Sequence, residues 1–558
     1  MPRFTLAGRR DRWSFLLLAL LSLTGIAISL FATRAGGYLS GDSATYIGAA
    51  RNFLAGQGLT LPFRATTPIV LPHFPPFYAL LLALPGTLGV DLLEAARWVN
   101  ALLFGGTVAL VGLMLYRSTA GSAWAVLLGA WLVLTSETML SIHAMALSEA
   151  LFIFLGNLGL ALLAAYLETD RARYFVAAGV AVALAFFTRY AGGSLVLAAV
   201  LALVLLRPAR RPRNLAQAGA FGVLGSSLAA LWVLQSATAG NDNRLTGVSL
   251  YPLGDRLVVG LRTVASWALP LDSLSVPLLV LLGAALGLLT AWGLAGLGPW
   301  RGGRTAEPGR WLAWLGRHLA GFPVFIKVHI LFLFSFVAFL LVAAAFVDTF
   351  MRFDFRILSP LFVSLVVVLV YLAWRILSRA PGRAGATYAL AAVLLFFAGS
   401  YGLRAVDWVR NVEDFQAVGL RRYADSALLA EVEALPPETP IASNGDDVIY
   451  LFTGRPAWRL PVLWFPVNGE QNPRYRADLA AMQRRLEAEG GVLVYFYDMA
   501  WRAYLPAEAE LLAQLPLRLV WRSADGAIYE VSSERASFRK GQRPTLARCL
   551  SGCAPSLD

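Results

Sequence analysis

Cysteine, histidine and charge are all scarce in this chain. Its 558 residues include 2 cysteines and 4 histidines, and only 15% of them are charged. Cys549 and Cys553 both lie near the C-terminus, so no multi-disulfide framework is available. They leave either a single disulfide, in an oxidising compartment, or two free thiols. The tail around them contains no histidine, so the further ligands that zinc needs are missing. Soluble globular domains average roughly 25% charged residues. A chain with 58% hydrophobic residues, 15% charged residues and a mean hydropathy of +0.63 falls outside that class.

What the chain has instead is long apolar runs. Windows of about 20 apolar residues span a hydrocarbon core of roughly 30 Å. About eleven such spans are expected: Trp13–Thr33, Trp98–Tyr116, Ala123–Met139, Ser148–Leu167, Tyr174–Thr188, Ala191–Leu206, Leu215–Gln235, Val276–Leu297, Val324–Phe346, Ile357–Ile376 and Ala386–Leu403. The first run is long enough to span and no small-residue cleavage site follows it, so a cleaved signal peptide is not expected. The fold class is therefore a polytopic α-helical membrane protein, with a small α/β domain at its C-terminal end.

The formal net charge of +13 invites a nucleic-acid reading, but its distribution opposes one. From Ala405 onward there are 17 basic and 20 acidic residues, which leaves 30 basic against 14 acidic in the membrane part. Nearly all of that excess is Arg in short loops, and no continuous basic face is present for nucleic acid. Basic residues collect in cytoplasmic loops. With the N-terminus inside, the cytoplasmic pieces include RPARRPR and RILSRAPGR, and together they carry about 19 basic residues against about ten on the other face. An odd number of spans then puts the tail on the extracytoplasmic side.

Three regions follow: residues 1–404 in the membrane, with a first extracytoplasmic loop at 34–97; a tail domain at 405–533; and a polar, disordered end at 534–558. In the first loop, Ala44–Leu54 reads as an amphipathic helix and Phe77–Val90, interrupted by Pro85, as an interfacial one. In the tail, Asp425–Leu435 and Ala477–Glu489 read as helices, and Pro440–Ser443 and Gly491–Tyr497 as strands. Leu517–Val531 reads as a hairpin turning at Asp525–Gly526.

Ionisable groups at the membrane edge are costly and mark function. Here they gather on the extracytoplasmic side: Asp42 after span one, His73 before the Pro75–Pro76 corner, His143 and Glu149 at span four, Arg189 and Tyr190 between spans five and six, and Asp348, Arg352, Asp354 and Arg356 before span ten. Each has a plainer role available. Asp42 and Glu149 suit helix N-caps, Arg189 and Arg356 suit interfacial anchors, and His73 suits packing. Together they offer chemistry: a carboxylate to take a proton from an acceptor, arginines to grip phosphate, and aromatics for amphipathic ligands.

Four stretches carry a family resemblance. They are GDSATYIGAARNFLAGQG, HFPPFYALLLALPGTLGVDLLEAARWVNAL, the pair SEALF and TRYAG, and RFDFRILSPLFV; the tail segment IASNGDDVIYLFTGRPAWRLP joins them. In order and sidedness the chain resembles the integral-membrane GT-C glycosyltransferases, closest to bacterial relatives of protein O-mannosyltransferases and of the aminoarabinose transferase acting on lipid A. The resemblance covers most of the chain, although each motif alone is degenerate.

The resemblance implies inverting transfer of a sugar from a polyprenyl-phosphate donor to a glycan, lipid or protein acceptor, at a bacterial cytoplasmic membrane. By position it implies Asp42 as base and Arg189, Arg356 and Arg352 for the donor phosphate. Glu149, His73, Tyr46, Tyr190 and His143 are implied for substrate. Two departures stand out. Relatives often carry a second acid where Ser43 stands, and a Lys before the Pro-Pro where His73 and Phe74 stand. A lone carboxylate is a poor divalent-cation site, so no essential cofactor is expected and metal use is left open. Two other classes compete: a transporter or flippase of lipid-linked sugar, which would place its polar groups near the midplane on repeated broken helices, and a non-catalytic membrane scaffold, which would leave the charge cluster unused.

Overall fold

The computed structural model describes residues 9–61, 69–71, 74–207, 211–238, 251–268, 321–347, 351–379, 384–417, 419–466, 469–499 and 501–531. The chain divides into two units, Met1–Ala424 with Pro466–Gly469, and Asp425–Phe465 with Glu470–Asp558.

The described part of the first unit is helical. In chain order it comprises α1 (Arg9–Ala32), α2 (Gly41–Leu54), α3 (Phe77–Gly86), α4 (Leu92–Ser118), α5 (Ala123–Leu134), α6 (Glu137–Ala144), α7 (Glu149–Thr169), α8 (Ala172–Thr188), α9 (Gly193–Leu205), α10 (Arg211–Thr238), α11 (Gly254–Ala268), α12 (Val324–Phe346), α13 (Phe355–Arg379), α14 (Ala384–Arg410) and α15 (Val412–Ala417). Between α2 and α3, strands β1 (Thr60–Leu61) and β2 (Ile69–Val70) pair antiparallel. The helices pack closely where glycine allows it. A Cβ on Gly105 of α4 would sit 2.8 Å from the Ser22 carbonyl of α1, the close small-residue contact typical of membrane helices.

Among the described residues, seven helices are long and apolar enough to cross a membrane, where eleven spans are expected of the whole chain. The bent pair α5–α6, broken by 53°, makes an eighth. The break falls at Thr135–Ser136, where Ser136 Oγ accepts from Met139 N at 3.4 Å and starts a new helix. Helices α8 and α9 have only 17 and 13 residues. Arg189, extended at φ −150° and ψ 139°, separates them. A Cβ on Gly192 would lie 2.3 Å from Phe186 Cα, so only glycine lets this turn fold back on α8. The span expected at Val276–Leu297 lies outside the described residues.

The expected domain boundary at 404/405 falls inside α14, which runs unbroken to Arg410. The chain beyond it stays with the first unit. Leu420 N donates to Leu39 O at 2.8 Å, Gln416 Nε2 donates to Ala32 O at 2.5 Å, and Tyr38 stacks on Phe415 with 5.2 Å between ring centroids. The second unit begins at Asp425.

That unit holds a five-stranded sheet ordered β4-β3-β5-β7-β6, with β3 (Ile441–Ser443), β4 (Trp458–Arg459), β5 (Val492–Phe496), β6 (Leu517–Arg522) and β7 (Gly526–Val531). Strand β3 runs parallel to β4 and β5, whereas β7 is antiparallel to β5 and β6. Gly526 already pairs with Phe496, which moves the hairpin turn back to residues 523–525. Helices Ala427–Ala434 and Tyr475–Glu489 stand where the sequence pattern puts them. Strand β4 and the helices Asp446–Thr453 and Glu508–Gln514 are additional. Asn444 fixes the end of β3 against β5, with Nδ2 donating to Phe496 O and Phe496 N donating to Oδ1, each at 2.8 Å. Residues 534–558, including Cys549 and Cys553, lie outside the described residues.

Candidate active site

The site is built at three helix starts, those of α2, α7 and α13, and at the break between α8 and α9. Ser40 caps α2: its Oγ accepts from Ser43 N, and Ser43 Oγ accepts from Ser40 N at 3.0 Å. This reciprocal box satisfies the helix start. Asp42, inside the first turn, is therefore free of capping duty. Ser43, standing where relatives often carry a second acid, turns its hydroxyl back onto the backbone. Ser148 precedes α7 without capping it through its side chain. Its Oγ lies 2.9 Å from Tyr46 OH and accepts from Arg189 Nη1 at 3.2 Å. Asp354 starts α13, its Oδ1 accepting from the backbone N–H groups of Arg356 and Ile357, both at 3.1 Å. Pro360 cannot donate to the Arg356 carbonyl, and Ser359 Oγ fills that bond at 2.7 Å.

These pieces enclose a cavity of about 390 Å³. Its polar wall holds Asp42, Tyr46, Glu149, Arg189, Tyr190, Arg352, Asp354 and Arg356, and its apolar wall includes Phe152, Phe336, Phe339, Leu340 and Pro360. Three carboxylates face three guanidiniums. Glu149 is 1% exposed, and its Oε1 receives Arg189 Nη1 at 2.9 Å, Arg356 Nη2 at 2.8 Å and Arg356 Nε at 3.1 Å. Arg356 Nη2 also reaches Asp42 Oδ2 at 3.0 Å. A buried carboxylate with charged donors at these distances is compensated, so the cluster stands without protonation of Glu149. Arg352 is exposed and makes no hydrogen bond or ion pair among the described residues. Burial raises the phenol of Tyr46 well above its usual value, with Arg189 and Ser148 opposing that shift and Glu149 and Asp42 adding to it. Tyr46 therefore acts as a neutral hydrogen-bonding group. Tyr38, next to the cluster, is raised mainly by burial as well.

Of the residues singled out in the sequence, Asp42, Tyr46, Glu149, Arg189, Tyr190, Arg352 and Arg356 converge on this cavity. His143 does not reach it. Its Nδ1 donates to Met139 O at 2.7 Å, its ring stacks on Phe104 at 4.5 Å, and it is buried inside the bundle. Position 143 lies in α6, beyond the α5–α6 break and past the span expected to end at Met139. His73 lies outside the described residues, while its neighbours Phe74 and Pro75 line the cavity. Ser148 reads in the sequence as a cap of span four beside Glu149; its hydroxyl instead meets Tyr46 and Arg189. Phe336, Phe339 and Leu340 carried no signal, being apolar residues in an apolar helix. Among the described residues no three His, Cys, Asp or Glu converge as metal ligands. Asp42 and Glu149 are instead tied to one another through Arg356.

Residues 74–237 match the family model of dolichyl-phosphate-mannose-protein mannosyltransferases. No curated protein sequence matches the chain significantly. Among solved structures it is similar to ArnT from Cupriavidus metallidurans. The crystal structure bound to undecaprenyl phosphate matches at a TM-score of 0.56 and 15% identity, over 92% of this chain and 97% of that one. The apo structure gives a TM-score of 0.54 over the same shares. The arabinofuranosyltransferase AftD from Mycobacteria matches at 0.51 and 15% identity, over 94% of this chain and 40% of its own length. The chain thus has the fold of the integral-membrane GT-C glycosyltransferases, and its residues 74–237 carry the sequence pattern of the mannosyltransferase family.

Proposed function

We propose that the protein transfers a sugar from a polyprenyl-phosphate donor to an acceptor on the extracytoplasmic face of a bacterial cytoplasmic membrane, with inversion. The observation that carries this reading is the pairing of one accessible carboxylate, Asp42, with three arginines in a cavity whose opposite wall is apolar. A lipid phosphate needs both halves: guanidiniums for its charge and Phe336, Phe339 and Leu340 for the first part of its chain.

In this reading the acceptor oxygen attacks the anomeric carbon and gives its proton to Asp42. The bond between that carbon and the phosphate oxygen breaks, and its electron pair leaves with the phosphate. Arg352, Arg189 and Arg356 stabilise the charge that builds there. One displacement inverts the anomeric centre. Asp42 and Glu149 are engaged by arginine, a donor set that does not fit a divalent cation, so this mechanism uses no metal step. The Arg-rich short loops support a cytoplasmic N-terminus and an extracytoplasmic tail.

The test is mass spectrometry of the glycolipids and glycoproteins of a deletion strain. One modification disappears, the wild-type gene restores it, and the Asp42→Asn variant, made in equal amount, does not. Restoration by Asp42→Asn refutes the base assignment.

A further inference from the structure

Glu149 holds both Arg189 and Arg356 through a single oxygen, Oε1. Its second oxygen, Oε2, is buried and accepts no hydrogen bond among the described residues. A buried carboxylate oxygen left without a donor is costly, so it marks a bond that some state of the molecule makes. Arg356 shows the complementary excess. Its Nη2 divides between Glu149 Oε1 at 2.8 Å and Asp42 Oδ2 at 3.0 Å, while its Nε also donates to Oε1. Guanidinium and carboxylate pair best as a fork, with two parallel bonds to two oxygens. The Arg356–Glu149 pair is one bond short of that fork, and the missing bond is the one Arg356 gives to Asp42.

We propose that Glu149 is a positioning residue that draws Arg356 away from Asp42 Oδ2 when the donor phosphate arrives, so that both oxygens of the base are free of the guanidinium only in the loaded site. This rests on the glycosyl-transfer reading above. The phosphate brings negative charge to a wall on which three acids balance three arginines. Arg352 is uncommitted, and Arg189, whose side chain is 22% exposed, can turn from Glu149 to a phosphate oxygen. Glu149 is buried and then has one cation left. It takes one edge of that guanidinium: Arg356 Nη2 moves from Asp42 Oδ2 to Glu149 Oε2, Nε stays on Oε1, and Nη1 is left for the phosphate. Only hydrogen bonds exchange in this step. Asp42 then presents both oxygens, free of the guanidinium, to the acceptor's proton, and the acceptor oxygen displaces the phosphate as described above. In the empty site Asp42 Oδ2 stays paired with Arg356, which disfavours activation of water and wasteful hydrolysis of the donor.

Two measurements test this on the full-length protein. The first is a structure with undecaprenyl phosphate as the probe. The expected result is an Arg356–Asp42 separation beyond the salt-bridge limit of about 4 Å, with Arg356 forked on Glu149. Arg356 still on Asp42 with the phosphate bound overturns the proposal. The second is the kinetics of Glu149→Gln, which keeps the side-chain size and removes the charge that draws Arg356. The expected kcat falls about tenfold or more, while KM for the lipid-phosphate sugar stays level or drops because one negative charge near the phosphate is gone. Glu149→Asp, which keeps the charge, recovers part of kcat. A KM that rises in step with the loss of kcat indicates a merely structural role and overturns the exchange. A wild-type protein that neither binds undecaprenyl phosphate nor turns over a polyprenyl-phosphate sugar overturns the transfer reading itself. Binding and turnover with the wrong kinetic split overturn only the exchange.

Discussion

Arg356 is the residue whose loss separates the catalytic from the structural worth of the cluster. Arg356→Ala removes three bonds: two to Glu149 Oε1 and one to Asp42 Oδ2. The Asp42 bond costs little, because both side chains are about a quarter to a third exposed and such pairs contribute about 0–1 kcal/mol. The Glu149 bonds cost more. Breaking a fully buried pair costs about 3–5 kcal/mol, but Glu149 retains Arg189 at 2.9 Å, so about half of that, ~2 kcal/mol, is expected. A variant destabilised by that amount still folds and inserts. The rate effect is larger, because removing one preorganised donor from a developing oxyanion costs about 10²–10³ in kcat. Arg356→Lys keeps the charge but cannot form a fork. It is expected to recover most of the melting temperature and little of the rate. The assay is sugar transfer by the purified protein from a polyprenyl-phosphate donor, beside a thermal melt. Transfer by Arg356→Ala within about threefold of wild type, well inside the expected loss, refutes a role in the transition state. Full activity in Arg356→Lys refutes the need for the fork.

Two further outcomes reach beyond the cavity. Asn444→Ala removes both bonds to Phe496 and leaves a buried N–H and C=O unpaired, at a cost of about 2–3 kcal/mol; limited proteolysis of the intact protein should then cut within residues 425–531 sooner than in wild type, and unchanged protection refutes this. A reporter fused after Asp558 should be active on the extracytoplasmic side, and cytoplasmic activity overturns the orientation drawn from the arginine bias.

What could be read from sequence follows from how each feature is encoded. Charge in an apolar chain is conspicuous, and Asp42, Glu149, Arg189, Arg352 and Arg356 stood out for that reason. Seven of the nine site residues chosen do converge. His143 is singled out on the same logic but is buried in α6, beyond a 53° bend, and does not line the cavity. A bend of that kind depends on two hydroxyl residues rather than on any lapse in hydropathy. Among the described residues the long spans are fewer than hydropathy suggests, for a related reason. Hydropathy measures how apolar a run is, whereas α8 and α9 are cut short by one extended residue, Arg189, and by the tight turn at Gly192. The tail boundary was drawn where apolar residues thin out, at 404/405. The structure draws it by contact, at Asp425, because residues 411–424 pack on the loop that leads to Asp42. A Cβ on Gly419 would stand 2.5 Å from the Leu39 carbonyl, so the segment approaches that loop as closely as backbone allows. Composition cannot report such a contact, since it joins two polar stretches far apart in the chain. Pairing among the charges was equally hidden. Sequence supplies the acids and the arginines, but only geometry shows that one buried oxygen of Glu149 carries two arginines while the other carries none. That asymmetry leaves Asp42 a base with one oxygen held by Arg356, where the sequence alone offers a base beside some cations.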